Sequence, residues 1–234
     1  MANVNFADIW WGVRAELPGV PVPLLYAHFS ESVREFLAKS LAWQYNCPNL
    51  LNLGASTAWP TLVAPTDIPT GSYVVQPVKL KWADGTDIPF VTRDQLDKMD
   101  GDWEAATGGE VEYWTITGPS TWRVYPLLTS AVTSKLRLRV ALATTAAGGV
   151  VPEELANEHR ATWEKGALAR LLRIPGKDWT NPRASQMYQF EYEKEIAMAK
   201  SRAAADYGRP QRVVEYGGLS IGGSGRRINT DYGK

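Results

Sequence analysis

Few residues in this sequence have the types and spacing that chemistry requires. Its two histidines, His28 and His159, each fall in a run of helical periodicity. Neither has Cys, His or Asp neighbours at metal-ligand spacing, so no metal site is expected. The single cysteine, Cys47, cannot form a disulfide within the chain, and reads as a small, partly buried apolar residue. No Gly-x-Ser-x-Gly sequence forms a nucleophile elbow. The glycine-rich run around Ser224 lacks the Gly-Lys-Ser/Thr ending of a phosphate loop, and no helical pattern follows it. What remains is acidic: Asp84, Asp87, Asp94, Asp97, Asp100, Asp102, Glu104, Glu110 and Glu112 face only Arg93 and Lys98 within residues 82–113. Paired carboxylates there could serve glycoside hydrolysis. A loop-rich acidic segment is far more often a solvated face. No catalytic residue and no cofactor is assigned, and the chain reads as a non-enzyme.

The elements that position these residues follow from periodicity. The 234 residues carry no net charge, yet the middle is acidic and residues 114–234 are basic, an asymmetry that concerns partners rather than fold. Asn5 is a helix cap for a short helix reaching Arg14, and Pro18, Gly19 and Pro21 end it. From about Pro23 to Tyr45, Leu25, Phe29, Val33, Phe36, Leu37 and Leu41 recur at steps of three and four. Ser32, Arg34, Glu35, Lys39 and Ser40 fall mostly on the opposite face. The middle third alternates with period two: Val78, Leu80 and Trp82 against Lys79 and Lys81; Val111, Tyr113 and Thr115 against Glu112 and Trp114. The clearest case is Leu136, Leu138, Val140 and Leu142 against Lys135, Arg137, Arg139 and Ala141. Strands that follow one another without long helices predict an antiparallel sheet. Arg93–Trp103 is compatible with a short helix or a loop. Pro152, Glu153 and Glu154 open a helix to about Arg173, and Asn181 with Pro182 opens another to about Tyr207. These two are expected to pack antiparallel.

The expected fold is therefore α+β. Residues 1–53 and 150–207 form a helical bundle, 54–149 an antiparallel β domain, and 208–234 an extended C-terminal arm. That arm has no helical period. Arg209, Arg212, Arg226 and Arg227 are its charged anchors; Val213, Val214, Tyr216, Leu219, Ile221, Ile228 and Tyr232 are its apolar and aromatic ones. Its modest positive charge and its aliphatic residues suit a protein groove better than a phosphate backbone, and strand addition to a partner is the matching mode. No signal peptide and no membrane span is expected.

The succession Thr117-Gly118-Pro119-Ser120-Thr121-Trp122-Arg123-Val124-Tyr125-Pro126, then Val151-Pro152-Glu153-Glu154-Leu155-Ala156-Asn157 running into Gly166–Leu172, then Pro175–Pro182 and the helix after it, resembles the head-to-tail adaptor (connector, or tail tubular) proteins of bacteriophages. The resemblance implies a structural virion protein of the neck, assembled in the host cytoplasm. It implies a homo-oligomeric ring, usually twelve-fold, between the portal protein and the tail nozzle or tube. DNA passes through the lumen without specific binding, and the C-terminal arm docks on the portal. Asp84, Asp87, Asp94, Asp97, Asp100, Asp102 and Glu104 would then face the lumen or the tail, where carboxylates repel phosphates. The other reading is a carbohydrate-binding module, in which exposed aromatics such as Trp103, among ten Trp and ten Tyr, stack on sugars.

Overall fold

The computed structural model describes residues 2–48, 51–53, 68–117 and 122–205. A short strand, β1 (Asn3–Asn5), leads into α1 (Phe6–Ile9), α2 (Trp11–Glu16) and the long α3 (Val22–Ser40). Then come β2 (Gln44–Asn46), β3 (Leu51–Leu53), β4 (Ser72–Trp82), β5 (Asp87–Ile88), α4 (Arg93–Met99), β6 (Thr107–Gly108) and β7 (Tyr113–Ile116). β8 (Trp122–Tyr125), β9 (Leu127–Leu128), β10 (Val132–Thr144) and β11 (Val150–Pro152) return the chain to two long helices, α5 (Glu153–Leu171) and α6 (Pro182–Ala204). The architecture is α+β, and its main sheet is antiparallel in the order β2-β10-β4-β5, with β3 also on β10. One parallel pair, β6 with β9, lies outside that sheet.

The helical layer is built from both ends of the chain. Asn5 caps α1 by accepting the Ala7 N–H at 2.9 Å, and Asn181 caps α6 by accepting that of Ala184 at 3.1 Å. β1 pairs with β11, which ties the chain's start to the entry of α5. α3 buries Leu25, Phe29, Val33, Phe36 and Leu37, the face expected from periodicity. It also buries Ser32 and Ser40, expected on the solvent side. Helical spacing explains the difference. Ser32 lies three residues after Phe29 and four before Phe36, and Ser40 lies four after Phe36. Both share the buried face, where a polar group must find a partner. The Ser32 hydroxyl donates to the Trp163 carbonyl of α5 at 2.8 Å, and the Tyr192 hydroxyl of α6 donates to the Ser32 carbonyl at 2.6 Å. Gly166 lies beside both. A Cβ there would meet the Ser32 hydroxyl and stand 2.7 Å from the Tyr192 ring. Three helices therefore meet at one point, and burial pushes the Tyr192 phenol well above its ordinary pKa. α5 and α6 run antiparallel: Ser185 donates to the Ala169 carbonyl at 2.6 Å near the connection, and Arg202 reaches Glu158 at 3.1 Å near the far end.

The expected helix to Tyr45 stops at Ser40. Leu41 takes a left-handed backbone, φ 57°, and the next residues become β2. The sheet holds them there, with Leu142 donating to the Trp43 carbonyl at 2.8 Å and Cys47 to that of Leu138 at 3.0 Å. Residues 1–53 thus contribute strands to the sheet as well as helices to the bundle, and one apolar core joins the two.

β10 is the centre of the sheet. Leu136, Leu138, Val140 and Leu142 are buried as the alternation requires, but Ala141 and Ala143 are buried too, so the strand's second half is covered on both faces. The partner β4 departs from period two. Its register slips between the pairs Arg139–Lys79 and Val140–Pro77, and again between Ala141–Gln76 and Leu142–Val74. Proline has no N–H for the ladder, and it sits at such an irregularity. Val78 is the residue skipped and is only half buried, against expectation, while Leu80 keeps its place in the core. In β7, Trp114 and Thr115 are both buried, so the strand is covered on both faces there. Its indole N–H donates to the Ile88 carbonyl at 3.0 Å.

Two expectations follow. Gly166→Ala should lower the unfolding free energy by about 1–3 kcal/mol, the cost of overpacking a filled junction, in urea denaturation. His159 is buried against Phe36, with ring centroids 4.7 Å apart, and burial holds its pKa below 6.5. The folded state therefore binds fewer protons than the unfolded chain. The stability this gives is complete above pH 6.5 and is lost as pH falls from there toward the folded pKa. His159→Gln should narrow the gap between urea midpoints measured at about pH 7.5 and pH 5. The remaining gap includes the share of His28, also held low by burial.

Candidate assembly surfaces

The acidic segment is more ordered than a solvated loop. Asp84 accepts the Thr86 N–H at 2.8 Å in the turn before β5, and that bond holds its carboxyl below the usual range. Asp87 lies between Lys81 at 2.9 Å and Lys79 at 3.0 Å, which lower its pKa. Arg93 to Met99 is helical, so the open question over Arg93–Trp103 resolves to a helix followed by turns. Its start carries a capping box: the Thr92 hydroxyl accepts the Gln95 N–H at 3.4 Å, and the Gln95 side chain accepts that of Thr92 at 2.8 Å. The Thr-x-x-Gln spacing was present to be read. Asp97 accepts the Trp103 indole N–H at 2.6 Å, and Asp100 accepts the Tyr125 hydroxyl at 3.1 Å and the Asp102 N–H at 3.0 Å. Glu104 pairs with Arg93 at 3.2 Å. Asp94, Asp102, Glu110 and Glu112 have exposed side chains. Most of the predicted acids thus stabilise local geometry, and the module's outer surface is still acidic.

The residue that organises this module is Arg123, which alternation alone did not single out. It is 3% exposed, its guanidinium lies 4.8 Å from the Trp103 ring, and it donates to the Glu104 carbonyl. Arg93 stands 6.0 Å from the same ring. A cation over an indole is favourable, more so when desolvated. Burial pulls the Arg123 pKa down from its ordinary value. Trp103 is 2% exposed, which corrects the expectation of an outward, sugar-stacking indole. Trp10, Trp43, Trp114, Trp122 and Trp163 are buried as well.

The apolar side chains that do reach the surface are informative. On α6, Tyr192, Ile196, Ala199 and Ala203 face the bundle. Met187, Phe190 and Met198 lie on the opposite side of the helix at 53%, 70% and 40% exposure. At 100° per residue the two stripes are about half a turn apart, and the outer one runs about 16 Å along the helix. Exposed Lys194 lies between Phe190 and Met198 on this side, so the outer apolar surface of α6 is Met187 with Phe190, and Met198 apart from them, more than the bundle itself covers. Trp11, half exposed, stacks on Trp10 with centroids 4.5 Å apart.

The predicted arm residues Arg209, Arg212, Val213, Val214, Tyr216, Leu219, Ile221, Arg226, Arg227, Ile228 and Tyr232 lie outside the described residues. So does Gly218-Leu219-Ser220-Ile221-Gly222, a string with the spacing of a nucleophile elbow. Among the described residues no group of three His, Cys, Asp or Glu side chains gathers to hold a metal, and no helix is long and apolar enough to cross a membrane. No family model and no curated protein matches the chain.

Arg123→Ala should cost about 2–4 kcal/mol, from lost cation–π contact and lost packing of its buried stem, measured by urea denaturation. Loss of the Trp103 environment should appear in the same experiment as a red-shifted fluorescence component.

Proposed function

We propose that this chain is a structural assembly subunit, a head-to-tail adaptor that closes into a homo-oligomeric ring between the portal and the tail of a bacteriophage. The observation that carries this reading is the set of exposed apolar side chains on the outer side of α6, Met187 and Phe190 with Met198 beyond Lys194, on a helix whose other face is already packed. A ring needs heterologous contacts, so each copy must offer two different faces to its neighbours. The α6 stripe supplies one apolar face on a rigid element. The helix–sheet–helix order, with α1 to α3 packed in one bundle with α5 and α6, agrees with the adaptor resemblance. On this reading residues 208–234 dock on the portal. The outward acids Asp94, Asp102, Glu110 and Glu112 keep DNA from sticking as it passes. The carbohydrate-binding alternative would rest on other exposed aromatics, such as Trp11 and Phe90, because Trp103 is buried.

Phe190→Asp places a charge at the centre of the stripe. It should weaken subunit association by about 2 kcal/mol per contact, roughly thirty-fold in Kd, in sedimentation of the full chain with portal rings. Unchanged association would remove the stripe from the interface. Deleting residues 208–234 should abolish co-sedimentation with portal while the helical circular dichroism remains. Retained portal binding at unchanged affinity would exclude the arm as the anchor.

A further inference from the structure

The outer face of the main sheet is predominantly basic. β10 presents Lys135, Arg137 and Arg139 at every second residue, so the three project to the same side. β4 sets Lys81 directly opposite Arg137 and Lys79 directly opposite Arg139. Residues opposed in an antiparallel pair share a face, and like charges there are destabilising. Two such pairs in succession are therefore a cost that folding alone does not explain. The arrangement is held in place rather than splayed. Asp87 bridges the two lysines, and Arg139 donates to the Asn46 side chain at 2.9 Å and to that of Gln44 at 3.4 Å. Beside the pairs lies a concavity of about 580 Å³ whose polar lining includes Lys79, Lys81, Arg137 and Arg139.

We infer that this face is a contact surface for the phosphodiester backbone of nucleic acid, binding without regard to sequence. Among the described residues, Lys135, Arg137, Lys79 and Lys81 face the one carboxylate of Asp87, an excess of positive charge apart from Arg139. The row on β10 extends about 13 Å, a linear array matched to a polymer of repeating charge rather than to a single small anion. Lysine and arginine heads on a flat sheet reach phosphates and do not enter a groove to read base edges. The inference goes beyond the adaptor reading and does not depend on ring closure. It also separates two surfaces of the β region, an acidic one around α4 that repels DNA and a basic one on β4 and β10 that holds it.

The test is fluorescence anisotropy of the full chain with a random-sequence DNA duplex across a salt series. Each phosphate contact adds about 0.9 to the magnitude of the slope of log K against log salt. The double variant Lys81→Gln/Arg137→Gln should reduce that magnitude by about 2. The fall in affinity between about 50 and 200 mM salt then becomes roughly ten-fold smaller. Lys135→Gln, which disturbs no opposed pair, should reduce the slope by about 1. The double variant removes one like-charge pair together with the exposed Lys81–Asp87 ion pair, so its melting temperature should stay close to the parent's. Arg226→Gln/Arg227→Gln reports separately on the tail's own contribution. Variants of the sheet face that bind with the parent's slope overturn the inference. So does a parent that leaves the duplex free but self-associates at low salt through Arg137, which would assign the face to the acidic surface of a second copy.

Discussion

The structure depends on the meeting of three helices at Ser32, Gly166 and Tyr192. One residue comes from the N-terminal third of the chain and two from the C-terminal third, with the whole sheet between them in sequence. The Ser32 hydroxyl and carbonyl are both used there, one on α5 and one by α6. Gly166 leaves the space that both partners fill. Because α3 is fixed in this way, its Leu25–Phe36 face has a defined partner, and Leu136, Leu138 and Val140 of β10 have an apolar surface to bury against. The same junction orients α6, so that the helix turns one stripe inward and leaves Phe190 in solvent.

Where hydrophobic periodicity was long and uninterrupted, the elements could be read directly. β10, α5 and α6 follow their patterns, and the Asn181–Pro182 helix start appears where its capping chemistry places it. The readings that changed were those in which a polar or bulky residue has a particular partner. Ser32 looked solvent-facing because serine is polar, and it is buried because its helical spacing puts it on the face of Phe29 and Phe36. Trp103 looked available for stacking, but Arg123 from a distant strand lies over its ring. β2 reads as a continuation of α3 until Leu41 turns left-handed and β10 takes up its backbone. Period two fails in β4 because Pro77 offers the ladder no N–H. The Trp103 and β2 changes came from contacts between residues far apart in sequence, whereas Pro77 and the spacing of Ser32 from Phe29 and Phe36 are local features.

The site was legible only in outline. The acidic run of the middle third was evident from composition, but its division of labour was not. Asp87, Asp97, Asp100 and Glu104 stabilise turns and hold basic or aromatic partners. Alternation on β10 also placed Lys135, Arg137 and Arg139 together, but their significance emerged only when the register set Lys79 and Lys81 opposite them. What the body offers to partners is thus a set of separate surfaces: an apolar stripe on a helix, an acidic module, and a basic sheet. A closed assembly around a polyanion has a use for each of them.

The proposed assembly of this chain on a portal has a direct experimental test. Electron microscopy of the full chain mixed with its cognate portal rings tests it most directly. The account predicts a second ring stacked coaxially on the portal. Portal rings that remain bare at saturating protein would contradict it.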